Sequence, residues 1–162
     1  MRNRISVMLA AAVVALLCAP AVFAQLPNPY GSSITLDSAR KAAAPAIAEA
    51  QKNNWRMAVA VVDISGDLVY FEKMDGTQAA SVNIAVDKAR SSARFKRPTK
   101  ALQDALAAGG AGLRMLALEG AVPVDGGVPL IADGKIVGAI GVSGGTSDQD
   151  AQCAKAGADS VK

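Results

Sequence analysis

Apolar positions along the chain fall into segments with two different periods. Leu36, Ala39, Ala43, Ile47 and Ala50 recur at three- and four-residue spacing behind Thr35, a favoured N-cap residue, so a helix with one small-residue face is predicted here. Pro45 lies inside that pattern and is expected to kink or split it. From Met57 the pattern changes: Ala58 to Val62 and Leu68 to Phe71 are β-branched and aromatic runs on either side of Ser65-Gly66, a hairpin signal. Helical spacing returns in Val82, Ala85, Val86, Ala89 and Ala93, giving a second helix from about Gln78 to Phe95. Pro98 stops it, and Thr99 is placed to cap a short third helix through Ala107. Leu113 to Leu118 suits either a strand or a helical turn. Val128–Ala132 and Lys135–Val142 flank Asp133-Gly134, a strong two-residue hairpin turn, and Thr146-Ser147-Asp148-Gln149 is a capping box opening a last helix to about Ser160. Two hairpins separated by helices predict an α+β domain built on an antiparallel sheet.

Residues 1–24 have the pattern of a secretory signal. Arg2 and Arg4 precede an apolar stretch, Pro20 interrupts it, and Val22-Phe23-Ala24 supplies small residues for cleavage. The expected mature chain starts at Gln25 and carries an extended leader over residues 25–33, rich in proline, asparagine and glycine, before a single domain over residues 34–162. The expected location is periplasmic or secreted, with no stable membrane insertion once the signal is removed.

Composition then narrows the chemistry. There is no histidine among the 162 residues, which excludes Ser-His-Asp and Cys-His catalysis and histidine-ligated metal. The formal charge of +3 shrinks when Arg2 and Arg4 leave with the signal, so no nucleic-acid partner is expected. Cys18 leaves as well, and Cys153 is then a lone thiol expected to be a small buried hydrophobe.

Three constellations carry candidate chemistry. The run Gly138-Ala139-Ile140-Gly141-Val142-Ser143-Gly144-Gly145 joins a strand to a helix start without a nucleotide fingerprint. It suits close packing and a turn, or alternatively an anion held by backbone N–H groups. Lys88, Arg90, Arg94, Lys96, Arg97 and Lys100 surround Phe95. That is a solvated helix face, or a site where guanidinium groups meet a flat acidic ligand. Met57, Met74 and Met115 suit core filling better than ligation of a soft metal or haem iron, and no metal ligand is assigned.

Three blocks resemble the GlcG/HbpS family of haem-binding-type proteins: Val61-Val62-Asp63 with Gly66, Leu68, Phe71 and Met74-Asp75-Gly76; Lys88-Ala89-Arg90 with Phe95 and Arg97-Pro98-Thr99; and Gly126-Gly127-Val128-Pro129-Leu130 continuing through Asp133-Gly134 to Thr146 with Gln149-Asp150. The resemblance implies a profilin-like domain with an antiparallel sheet of about five strands flanked by helices, and assembly into a homo-oligomer. It implies haem, or another flat acidic small molecule, as ligand. Arg90, Phe95, Arg97, Thr99 and Met74 are the candidate binding residues. Two alternatives stand beside it: a cofactor-free acid/base enzyme acting on a small organic acid through Lys88 and Asp75, and an oligomeric assembly module.

Overall fold

The computed structural model describes residues 28–162. The predicted signal, residues 1–24, and the first residues of the leader lie outside the described residues.

Helix α1 (Leu36–Lys52) begins where Thr35 accepts a hydrogen bond from the Ser38 backbone N–H at 3.3 Å. Pro45 does not split it. The carbonyl of Lys41, which proline leaves without its usual helical donor, accepts instead from the Ser160 hydroxyl at 3.5 Å. Strands β1 (Ala58–Val62) and β2 (Leu68–Lys73) form the first hairpin. Helix α2 (Ser81–Phe95) starts after the predicted Gln78, because the Thr77 hydroxyl donates to the carbonyls of Met57 and Met74 and holds the preceding chain in a turn. Helix α3 (Thr99–Ala107) is followed by a 3₁₀ helix (Gly110–Ala117), which answers the strand-or-turn question for this stretch. Strands β3 (Gly127–Ala132) and β4 (Lys135–Ser143) enclose Asp133 and Gly134, both with positive φ (49° and 71°), as a two-residue hairpin turn of this kind requires. The predicted capping box of Thr146 and Gln149 is present at the start of α4 (Ser147–Ala158).

The sheet is antiparallel in the order β2-β1-β4-β3, with four strands where about five were expected. β4 extends past the end of β1, and there the leader lies against it: Gly31 donates to the Ile136 carbonyl and Ile136 to the Pro29 carbonyl, both at 2.8 Å. One isolated bridge, Tyr30 to Ile136, is too short to count as a fifth strand.

Both faces of the sheet are covered, which is why every residue of β1 is buried. Val59, Val61, Ile140 and Val142 pack against α1 and α4 on one side. Ala58, Ala60, Val62 and Ala139 meet Ala85, Ala89 and Ala93 of α2 on the other. Small residues on both partners let α2 lie very close to the sheet. A Cβ at Gly141 would run into the Ala85 carbonyl oxygen and the Ala89 nitrogen.

Candidate functional site

Lys88 projects from α2 with only 1% of its surface exposed. Its Nζ donates to Asp150 Oδ2 at 2.7 Å and to the Val142 carbonyl at 3.2 Å. The other carboxylate oxygen of Asp150 accepts from the Gly145 N–H at 3.0 Å. Burial pushes the Asp150 carboxyl up from its ordinary value, while Lys88 and the N–H groups of Gly145 and Gly144 pull it back. The glycine loop therefore does hold an anion, and that anion is the chain's own Asp150. It is also closely packed, since a Cβ at Gly145 would strike Gln149 Oε1 and press on Met57 at 3.0 Å. Asp75, the carboxylate suggested as Lys88's catalytic partner, is exposed in the turn after β2. The ion pair closes Lys88 off from solvent and fastens α2 to α4.

Along the flank of α2 the structure forms two adjoining hollows. One, of about 500 Å³, is lined by Leu68, Phe71, Val82, Asn83, Val86, Asp87 and Arg90. Its neighbour, of about 420 Å³, shares Asp87 and Arg90 and adds Arg94, Gly120 and Val122. Val82, Val86, Arg90 and Arg94 follow each other at four-residue steps, so one stripe of α2 runs from apolar to cationic along both hollows. The opposite wall depends on an irregularity in β2. Val61 faces Tyr70 but Val62 faces Leu68, so Val69 is an extra residue on its strand. Three residues apart on a regular strand, Leu68 and Phe71 would point to opposite faces; the bulge brings both to the α2 side, and Val69 and Tyr70 pack on the α1 side.

Both arginines are anchored on the β1–β2 turn. Arg90 Nε donates to the Gly66 carbonyl at 3.1 Å and Arg94 Nε to the Ser65 carbonyl at 2.9 Å. Arg90 Nη1 lies 3.6 Å from Asp87.

Of the five binding residues suggested by sequence, Arg90 alone lines these hollows. Phe95 ends α2, half-buried, and its carbonyl accepts from Arg97 Nε at 3.0 Å. That bond folds the exposed Arg97 back on its own segment beyond the left-handed residue Lys96, so Arg90 and Arg97 do not converge on the hollows. Thr99 is fully buried and does not cap α3, whose N-cap is Pro98; its hydroxyl accepts from the Gly127 N–H at 2.9 Å and ties α3 to β3. Met74 packs against the core beneath α1. Sequence reasoning missed Leu68, Phe71, Val82, Val86 and Arg94 as one surface. The four-residue stripe on α2 carried part of that signal, and the bulge carried none of it in advance. Among the described residues, no group of three or more Cys, Asp or Glu side chains is placed to hold a metal ion, and no helix is long and apolar enough to cross a membrane.

The family of haem-degrading HbpS-like proteins matches residues 34–159. The chain belongs to the HbpS-like family. Among curated relatives, an uncharacterized 15.0 kDa protein of Citrobacter freundii is 35% identical over 121 residues, which span 74% of this chain and 85% of that protein. GlcG of Escherichia coli is 42% identical over 95 residues, 59% of this chain and 69% of GlcG. In structure, a double mutant of Streptomyces reticuli HbpS has a TM-score of 0.75 and 32% identity, and the match covers 89% of this chain and 97% of that one. The HbpS-like fold is thus the frame that carries the two hollows.

Proposed function

We propose that this protein is an exported haem- or tetrapyrrole-binding protein acting in haem storage or sensing, and that its ligand lies along the flank of α2 beside β2. The observation that carries this reading is the continuity of an apolar hollow walled by Leu68, Phe71, Val82 and Val86 with a cationic one entered past Arg90. A tetrapyrrole is a flat apolar ring with carboxylates along one edge, and this surface offers both kinds of contact in that order. The fit is to the ring and its carboxylates. The residues lining the two hollows include no Tyr, Met, Cys or Lys, and the chain has no histidine to ligate iron. When bound, haem would supply its iron for ligand exchange or electron transfer. The side chains here would hold the ring, orient its edge and exclude water from its face. Membership of a family described as haem-degrading supports the choice of ligand.

Residues 1–24 support export, and mass spectrometry of the purified protein is expected to find a chain beginning at Gln25; recovery of the full-length chain would overturn this. Self-association belongs to the same proposal. It is supported by the exposed side chains Leu113, Leu116, Leu118 and Val124, and sedimentation velocity tests it.

The test of the ligand is an absorbance titration with haemin, set against an unrelated histidine-free protein of similar charge. Saturable binding is expected, weakened at least about tenfold by Phe71→Ala combined with Arg90→Ala. Arg97→Ala should leave it unchanged. Absence of saturable binding, or equal affinity in the folded double variant, would overturn the assignment.

A further inference from the structure

We infer that Arg90 and Arg94 together form a pre-set clamp for two carboxylates borne by one ligand, an assignment that rests on the tetrapyrrole reading and names the part of the site that recognises its acidic edge. Each guanidinium spends its Nε–H on a different carbonyl of the same turn, Gly66 for Arg90 and Ser65 for Arg94. The turn is itself held in place, because Asp63 Oδ1 accepts from the N–H groups of Ser65 at 2.8 Å and Asp67 at 2.9 Å. Gly66 leaves the space that Arg94 occupies: with φ at +90°, a Cβ there would sit 2.7 Å from Arg94 Nε.

The two arginines, each fixed by its Nε atom, line the same hollow together with Gly120 and Val122. Among the described residues, no protein acceptor hydrogen-bonds these terminal nitrogens. Asp87, at 3.6 Å from Arg90 Nη1, is beyond hydrogen-bond reach. The floor of the hollow is likewise fixed, since Val122 donates its N–H to Ser91 Oγ at 3.0 Å. Two planar forks each tethered through Nε before the ligand arrives suit paired carboxylates on short arms, because part of the entropy of ordering long arginine side chains has already been spent in folding. A single carboxylate would engage one fork and leave the other idle. Asp87 sets the selectivity in the opposite sense: its charge opposes any anion entering beside Arg90.

Haemin and haemin dimethyl ester distinguish the clamp from the apolar wall, since they share a ring and differ in the two carboxylates. Both are titrated into wild type, Arg94→Gln and Asp87→Asn, with circular dichroism and melting curves confirming that the variants fold. The expected result is that wild type binds haemin about tenfold or more tightly over the ester, that Arg94→Gln shrinks this preference to about threefold or less, and that Asp87→Asn tightens haemin while leaving the ester unchanged. Equal binding of haemin and ester by wild type, or full preference retained in Arg94→Gln, overturns the clamp and leaves the apolar site standing. Failure of both ligands to bind saturably overturns the tetrapyrrole reading and the clamp with it.

Discussion

Replacing Lys88 by methionine removes the cation from a buried ion pair while keeping most of the side-chain volume. At 2.7 Å the two charges attract by about 6 kcal/mol if the effective dielectric constant is about 20. Desolvation offsets much of that in the intact pair, but a member left alone keeps its desolvation cost and loses the attraction, a penalty of about 3–5 kcal/mol. The remaining Asp150 can escape by taking up a proton. Burial already raises its pKa above that of the unfolded chain, and losing Lys88 raises it further. An acid whose folded pKa is raised contributes stability below its unfolded pKa and loses it as pH rises through the folded value. The gap in unfolding free energy between wild type and Lys88→Met is therefore small near about pH 4 and grows to about 3–5 kcal/mol at about pH 7.5, where it lowers the melting temperature by roughly 10 °C. Urea denaturation at a series of pH values measures it. Adding Asp150→Asn to Lys88→Met leaves no buried charge and keeps an acceptor for the Gly145 N–H, so the double variant recovers more than half of the loss and shows no growth of the gap with pH. A single variant as stable as wild type at neutral pH, or a penalty that does not rise with pH, would refute the reasoning.

Three further outcomes follow from packing. Val61→Asp places an unpaired carboxylate at a fully buried position between the sheet and α1, and should cost more than about 4 kcal/mol by urea denaturation or prevent folding. Gly141→Ala drives a methyl group into the backbone of α2 at Ala85 and Ala89, and should cost about 2 kcal/mol or more in the same assay. The Cys153 thiol is fully buried and pushed up to about 12 by burial, so a thiol-reactive dye at about pH 8 should label it only after denaturant is added; rapid labelling of the folded protein would contradict its place in the core.

Features legible in the sequence are those set by residues close together in the chain. Asp133-Gly134 accepts positive φ at both positions, Thr146 and Gln149 satisfy each other's helix-end groups, and the alanine spacing of α2 gives a face that suits only a close-packed sheet. The buried Val61 and the antiparallel α+β frame follow from the same local periods. In the proposed binding surface, Arg90 was legible as a cation beside apolar positions, and the four-residue step to Arg94 lay in the sequence for the same reason.

Pairings between distant segments were decided by the tertiary structure alone. Lys88 is paired with Asp150, 62 residues away, because β4 and the glycine loop carry the first turn of α4 to the middle of α2; residue type alone had offered Asp75 as readily. Thr99, well placed by type to cap a helix, spends its hydroxyl on Gly127 because β3 passes there. A bulge at Val69 turns Leu68 and Phe71 to one face against the two-residue period of a strand, and the turn at Ser65 and Gly66 receives arginines from 29 and 24 residues further along the chain. Local propensity governs which element forms, since its energies arise within a few residues. Which side chains meet across elements depends on register and close approach, and those are settled only when the whole core packs.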